Sequence, residues 1–257
     1  MKSSQRLKAL LYRTIVGLLL INLLWWVASI TLSSTAIISP LKVYRALPAL
    51  LSQEMGRHLW ASLYRVLLGL PIAFVLGMSM AYAMYRWHRF GRVMSAFTYL
   101  AYPIPKLALL PIVMLIAGLG DGGKITMIVL IILFQIIVNI RDSLYNIPRE
   151  SFLITTSLGA TSWQVYRHVL LPATLPDTLS TLRVAIGTAI SVLFVTETYG
   201  TDKGMGYFII DSWMRFDYIS MYGGIAILSI AGFLLFLLTD LLELLLCPWQ
   251  EPSSSDK

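Results

Sequence analysis

The stretch Ile125 to Ile140, ITMIVLIILFQIIVNI, decides the fold, because it is strongly apolar and contains no charged residue. A hydrocarbon core about 30 Å thick requires roughly 20 helical residues, and somewhat fewer where neighbours bury the ends. Only helices and closed barrels satisfy every backbone hydrogen bond in lipid. The period-2 alternation of a barrel strand is missing here. This stretch therefore predicts a transmembrane helix.

The rest of the chain has the same character. Of its 257 residues, 57% are hydrophobic and 13% are charged, and the mean hydropathy is +0.74, which is too apolar for a soluble domain of this length. Five further runs qualify as spans: Thr14–Leu32, Leu59–Met84, Met94–Gly118, Leu179–Tyr199 and Tyr222–Leu246. We therefore predict an all-α polytopic membrane protein with about six transmembrane helices, the first of them an uncleaved helix rather than a signal peptide.

Basic residues indicate the topology. The net charge is +7, but the basic residues flank the apolar runs rather than forming one polar domain, so we expect no nucleic-acid partner. Positive charge marks the cytoplasmic side. We predict a cytoplasmic N-terminus over 1–13, a membrane domain over 14–248 with a cytoplasmic loop at 141–177, and a cytoplasmic polar tail over 249–257. Three basic residues depart from this scheme by lying outside: Lys42, Arg45 and Arg57.

Two segments outside the spans predict further helices. Pro40 to Gly56 has apolar residues at helical spacing and is expected to lie on the outer surface. Within the cytoplasmic loop, a short helix is expected over Glu150 to Leu158. Gly159 would end that helix, because glycine accepts positive φ freely. Pro172 lies near the start of the next helix and fixes its direction.

Several motifs together resemble a known family. Tyr102 to Pro111 reads YPIPKLALLP, Ser62 to Gly69 reads SLYRVLLG, and Glu197 is followed by GMGY at Gly204 to Tyr207. The loop carries SLGATSWQ from Ser157 and then VLLP from Val169. With Pro248-Trp249 near the end, these motifs resemble permease subunits of ATP-binding-cassette importers that serve nitrate, taurine and aliphatic sulfonates. The similarity covers nearly the whole chain.

The resemblance implies a type I importer permease with a MetI-like fold, located in the cell inner membrane and working by alternating access. It implies a second copy of the permease as a homodimer partner, two cytoplasmic ABC ATPase subunits and an extracytoplasmic solute-binding protein. No cofactor is expected in this chain, since the ATPase subunits bind ATP and Mg. The chain is accordingly expected not to be an enzyme.

The loop resembles the segment that couples the permease to its ATPases. Leu153, Ile154 and Leu158 have the spacing of an apolar anchor for a groove in a partner. In the family the loop begins Glu-Ala-Ala, whereas this chain has Leu153-Ile154-Thr155, so the acidic residue is missing. The alternative is a surface helix lying on the membrane. The predicted coupling residues are Glu150, Leu153, Ile154, Leu158, Gly159, Ala160, Val169, Leu171 and Pro172.

Candidates for the translocation pathway lie within or beside the spans. Pro103 and Pro105 predict a bent or broken helix beside the solute path, although ordinary kinking is the alternative. Gln135 and Asn139, one turn apart, either line a polar path or bond to a neighbouring helix. Glu197 is expected near the outer face as part of a gate, paired with a basic residue, or simply exposed at the interface.

Arg183, the histidines and Cys247 are expected to have structural roles. Arg183 is expected to extend to the headgroups. The three histidines are dispersed along the sequence, so they predict no metal site. We identify no catalytic residues. Cys247 is the single cysteine, which excludes an intrachain disulfide.

Two alternatives to the importer permease remain. The first is a stand-alone secondary transporter or channel, and the second is a membrane-embedded enzyme. The expected solute is a small organic or inorganic anion such as a sulfonate, taurine or nitrate, and the family also handles heterocyclic vitamin precursors.

Overall fold

The structure is a computed structural model that describes residues 2–32 and 36–249. Within these ranges, the side chains at 2–11, 13, 53 and 156 are not described. Its α-helices are, in chain order, α1 (Lys2–Thr31), α2 (Pro40–Leu50), α3 (Gly56–Arg86), α4 (His88–Ala101), α5 (Leu110–Ala117), α6 (Asp121–Tyr145), α7 (Arg149–Ser157), α8 (Ser162–Val165), α9 (Leu171–Thr196), α10 (Met205–Met214) and α11 (Tyr218–Leu246). The expected polar tail over 249–257 lies outside the described residues except for Trp249.

Membrane spans agree in number with the prediction. In the described part of the chain, five helices are long and apolar enough to cross a membrane, or six if the bent pair α4 and α5 is counted as one span. The all-helical class and the count of about six are therefore confirmed. Helices α3 and α6 extend beyond the predicted spans Leu59–Met84 and Ile125–Ile140 at both ends. Hydropathy locates the lipid-facing part of a helix, whereas its polar ends continue beyond that part.

The chain forms two compact units. Of the described residues, the first unit comprises 2–32, 36–64 and 197–234, and the second comprises 65–196 and 235–249. In the first unit, Met55, Met205 and Ile227 are buried together. The indole of Trp25 stacks on Tyr222 with ring centroids 5.5 Å apart. The predicted helix over Pro40 to Gly56 is confirmed as α2 followed by one π-helical turn, Leu51–Met55.

The second unit is built around α6. Isoleucines 128, 132, 136 and 140 repeat every four residues and are fully buried, so they form one continuous apolar stripe. Helix α3 packs closely against this stripe because glycines lie at the contacts. A Cβ atom at Gly69 would lie 2.9 Å from Cγ2 of Ile128, and one at Gly77 would lie 2.6 Å from Cγ2 of Ile136. Small residues thus permit close helix packing where the hydrophobic effect gives little help.

The third predicted span is broken. We expected one stretch over Met94–Gly118, but α4 and α5 are bent by 86°. Pro103 and Pro105 lie at the bend, and a 3₁₀ turn, Lys106–Leu109, leads into α5. Proline removes a backbone donor and clashes with the preceding turn, so clustered prolines break the helix. The bent or broken helix expected from these prolines is confirmed, and the single continuous span is wrong.

Arg183 also departs from expectation. Its guanidinium has partners within the protein, because it forms ion pairs with Asp240 and, at 2.7 Å, with Glu243. Because carboxylates on α11 are within reach, pairing replaces the expected interaction with headgroups.

The segments on either side of the last spans are more helical than predicted. Residues 200–221, which lie between the last two predicted spans, contain the ten-residue helix α10. Residues Ser162 to Thr196 form one helical run that begins well before the predicted fifth span, Leu179–Tyr199. Short or polar helices of this kind do not stand out in a hydropathy pattern.

The close packing of α3 on α6 generates a stability prediction. Gly77→Val should lower the free energy of unfolding by about 1–3 kcal/mol, because the added atoms overlap Ile136. Gly17→Val on α1 is the matched control, since a Cβ there meets nothing within 4 Å. Thermal unfolding of the detergent-solubilised variants measures the difference. Equal melting temperatures for the two variants would contradict this packing.

Candidate coupling surface and translocation pathway

The short helix predicted in the cytoplasmic loop is present as α7, Arg149–Ser157. Gly159 follows it with φ +73°, the left-handed conformation that glycine adopts without strain. The amide of Ala160 donates to the carbonyl of Thr155 at 3.1 Å, as in a Schellman motif. The loop therefore ends α7 with a defined backbone turn, as the glycine predicted.

Helix α7 has one face directed inward and another directed outward. Phe152 packs against the core of the second unit. The three residues predicted as an apolar anchor, Leu153, Ile154 and Leu158, are 66%, 66% and 81% exposed. Glu150 is exposed and Ala160 is half-buried. Large exposed apolar side chains on a short, well-terminated helix form a surface that fits a partner or a membrane.

A capping box that we did not predict fixes the chain after Gly159. The Thr161 side chain accepts from the backbone amide of Gln164 at 3.4 Å, and the Gln164 side chain accepts from the backbone amide of Thr161 at 2.7 Å. This pair begins α8. The signal was present in the sequence as Thr161-Ser162-Trp163-Gln164, since Thr followed three residues later by Gln is a helix-start pattern.

The later coupling candidates lie deeper. Val169 is buried, whereas Leu171 and Pro172 are half-buried. Val169 belongs to a π-helical turn, Tyr166–Leu170, that joins α8 to α9. Pro172 is the second residue of α9, close to its start as expected, although the helical run already begins at Ser162. These three residues are less exposed than the predicted anchor residues, which lie on α7 and just after it.

A polar cavity of about 300 Å³ lies between α6 and α9. Asn139 is exposed and lines it, while Gln135 is half-buried and is not among the lining residues. The hydroxyl of Ser143 donates to the carboxylate of Asp177 at 2.5 Å at the same cavity. Of the two polar residues that lie one turn apart on α6, only Asn139 lines this cavity.

Glu197 is fully buried, so the expectation that it is exposed at the interface is wrong. Its carboxylate accepts from the Ser62 hydroxyl, with both oxygens 2.8 Å from Oγ, and from the amide of Gly206 at 2.9 Å. The Ser62 hydroxyl in turn accepts from the amide of Met205 at 2.7 Å. A buried carboxylate needs such donors, and this one receives them from Ser62 on α3 and from the first turn of α10.

The turn before α10 is fitted closely around this carboxylate. Gly204 has φ +123°, and a Cβ there would lie 2.3 Å from the carboxyl carbon of Glu197. Its amide donates to Nδ1 of His58 at 3.1 Å. His58 therefore has a structural role at this turn. The sequence had placed Glu197 and the GMGY motif near each other without showing their contact.

The break between α4 and α5 is accessible. Pro103 and Pro105 are exposed, as are their apolar neighbours Tyr102 and Ile104. Sequence reasoning also missed an ion pair, in which the buried guanidinium of Arg65 lies 2.7 Å from the exposed carboxylate of Asp121. The signal was an arginine inside an apolar run, because such a charge requires a partner.

Comparisons of the sequence and of the structure with known proteins indicate the same family. The profile of the family described as binding-protein-dependent transport system inner membrane component matches residues 73–250. The formylaminopyrimidine transport permease protein ThiX of Halalkalibacterium halodurans is 32% identical, over 83% of this chain and 85% of that protein.

Two further relatives are similar over much of their length. The taurine transport system permease protein TauC of Escherichia coli is 28% identical, over 90% of this chain and 86% of that protein. The putative aliphatic sulfonates transport permease protein SsuC of Bacillus subtilis is 28% identical, over 85% and 79%.

Among solved structures, a chain of the MetNI methionine ABC transporter in an inward-facing conformation matches with a TM-score of 0.68 and 20% identity. The match covers 76% of this chain and 97% of that one. This likeness confirms the predicted MetI-like fold of type I importer permeases. Together with the profile match, it shows that the chain belongs to the family of binding-protein-dependent transport system inner membrane components and is an ABC importer permease.

Proposed function

We propose that two copies of this chain form the translocation pathway of an importer for a small anion. A solute-binding protein delivers the solute from outside, and two cytoplasmic ATPase subunits drive alternating access. The observation that carries this proposal is the coupling surface, meaning the exposed residues Leu153, Ile154 and Leu158 together with the Gly159 turn. In water these side chains would be exposed at a cost, and a groove on each ATPase would cover them.

The form of the coupling surface supports its proposed mechanical role. An ATPase that moves on binding ATP shifts the membrane helices only through a stiff element. Helix α7 is held to the core by Phe152, closed by the Gly159 turn and followed by the Thr161 capping box. The helical run Ser162–Thr196 continues from this box into the membrane domain. Movement of α7 would therefore be passed to α9 through a short and well-ordered connection.

The proposed pathway uses residues at three places. Pro103 and Pro105 expose the break between α4 and α5, Asn139 lines the polar cavity, and Gln135 lies one turn away on α6. Broken helices and polar side chains inside a membrane domain are typical of solute paths. Glu197 is proposed as a positioning residue that fixes the outer turn, since its carboxylate binds the start of α10.

The solute class has support from two directions. Relatives named for taurine and aliphatic sulfonates favour a small anion. Of these three relatives, the one named for formylaminopyrimidine has the highest sequence identity to this chain. It supports a neutral pyrimidine as the second candidate solute. We propose the anion first, because basic residues Lys42, Arg45 and Arg57 lie in the segment assigned to the outer side.

The proposed orientation follows from the same partners. The coupling surface must face the ATPases, so the loop over 141–177 and both chain termini are placed in the cytoplasm. The turn between Glu197 and α10 is then on the outer side, where a binding protein delivers solute. Arg86, Arg89 and Arg92 cluster around the junction of α3 and α4, and this orientation places them in the cytoplasm, as the preference of basic residues for that side predicts.

Reconstitution tests the function. The genes beside that of the permease are sequenced, any ATPase and binding-protein genes among them are co-expressed with it, and the complex is placed in proteoliposomes. Loaded binding protein should stimulate ATP hydrolysis and uptake of taurine, methanesulfonate or nitrate. Uptake of formylaminopyrimidine alone would support the second candidate. Solute movement by the purified permease without any ATPase would overturn the importer function.

Gly159 gives a prediction about coupling. Gly159→Val forces a β-branched residue into the left-handed region, which costs about 1–2 kcal/mol and favours a displaced end of α7. Uptake should fall several-fold, and less ATPase should co-purify. Gly159→Asn is the matched control, because asparagine tolerates this conformation and should retain most uptake. Both variants should insert normally, since a Cβ at Gly159 meets nothing within 4 Å. Wild-type uptake by Gly159→Val would contradict the proposed coupling.

Gly204 gives a prediction about the outer turn. Gly204→Ala places a Cβ against the Glu197 carboxylate and should displace the start of α10. Solute uptake should fall, while co-purification of the ATPase stays unchanged because the coupling surface is intact. Gly120→Ala is the control, since a Cβ there meets nothing within 4 Å. If both variants transport equally, the closely fitted turn has no role in uptake.

A further inference from the structure

Lys106 lies inside the broken third span, at the middle of the apolar stretch Met94–Gly118. It is the first residue of the 3₁₀ turn that joins α4 to α5, directly after Pro105. A lysine at the centre of an apolar span is costly, and such residues usually face a cavity or a solute path. Lys106 is half-buried, and Tyr102, Ile104 and Leu107 beside it are 55%, 48% and 41% exposed, so the helix break reaches the surface of the chain.

Among the residues that the structure describes, Lys106 contacts neutral groups. Its ammonium donates to the carbonyl of Tyr102 at 3.0 Å. It also lies 5.2 Å from the ring centroid of Tyr102 and 4.9 Å from that of Phe134. These rings stabilise a cation without neutralising its charge. An ammonium group has three donors, so two remain available for a ligand.

Other ionisable groups in the predicted spans are satisfied differently. Arg65 is paired with Asp121, and Arg183 with Asp240 and Glu243. Glu197 accepts hydrogen bonds from Ser62 and Gly206. Among residues 2–32 and 36–249, no carboxylate forms an ion pair with Lys106. Its positive charge is therefore positioned by the fold but not neutralised by it.

We propose that Lys106 is a binding residue for the anionic group of the transported solute, a sulfonate or similar oxyanion, at the helix break. This inference rests on the importer function proposed above and adds the contact that recognises the solute. Oxyanions accept hydrogen bonds from ammonium groups, and such charge-assisted bonds are stronger than neutral ones. The rings of Tyr102 and Phe134 hold the cation in place, and Pro105 sets the turn that presents it.

The first measurement is uptake by the reconstituted complex of permease, ATPases and binding protein. Lys106→Gln should lower the uptake of taurine, methanesulfonate or nitrate by about tenfold, the effect of losing one charge-assisted bond. Lys106→Arg should retain most of the uptake. Leu107→Gln, which places the same amide in the same turn without removing a cation, is the matched control and should transport normally.

Chemical rescue keeps the test independent of folding defects. Cys247 is the single cysteine and is replaced by serine, after which Lys106→Cys introduces one thiol at the break. Aminoethyl methanethiosulfonate adds an ammonium group to that thiol and should restore the uptake. Methyl methanethiosulfonate adds a neutral group of small size and should not. The transported anion should also slow the modification of this thiol.

The outcomes separate the possibilities. Equal uptake by the wild type and Lys106→Gln, or equal rescue by both reagents, overturns the role of Lys106 and leaves the importer intact. Uptake of formylaminopyrimidine with no uptake of any anion overturns it as well. If Lys106→Gln lowers uptake in phosphatidylglycerol vesicles but not in phosphatidylcholine vesicles, Lys106 binds an anionic lipid headgroup and the proposal is overturned. No stimulation of wild-type ATP hydrolysis by binding protein overturns the importer function itself.

Discussion

Backbone amides and carbonyls inside lipid must find hydrogen-bond partners within the protein, and this requirement shapes each span. Helices α3, α6, α9 and α11 meet it by running for 25 residues or more. Where the third span breaks, local bonds replace the helical ones: the amide of Ala108 donates to the carbonyl of Pro105 at 2.9 Å. Irregular backbone is thus found where nearby carbonyl groups accept the hydrogen bonds that the helix has lost. We propose that the solute path passes the break in the third span.

Charge inside the membrane domain follows a similar rule. Arg65 and Arg183 are neutralised by carboxylates of the fold itself, Asp121 for the first and Asp240 and Glu243 for the second. Such groups stabilise the arrangement of helices rather than contact the solute. A cation that the fold holds but does not neutralise, such as Lys106, is available to a passing anion. The distinction between structural and functional charges therefore depends on the partners of each charge.

Hydropathy predicted the spans because lipid imposes a length and a composition on each of them. The helix break was predictable from clustered prolines, and the left-handed turn from Gly159, because both residues act through their own backbone. Contacts between distant residues were not. Ser62 and Glu197 are 135 positions apart, and Arg183 and Glu243 are 60 apart, so their pairing emerges only in the fold. Helix α10 was missed because its ten residues, although largely apolar, are too few to form a membrane span.

The central claim is that the surface around Leu158 contacts a cytoplasmic ATPase. Accessibility of one thiol tests it most directly: Leu158→Cys is placed in a chain whose Cys247 is serine, and labelled with a membrane-impermeant maleimide. The account predicts labelling in inside-out vesicles, none in right-side-out vesicles, and protection when the ATPase subunits are bound. Labelling from the outer side, or labelling that bound ATPase leaves unchanged, would contradict it.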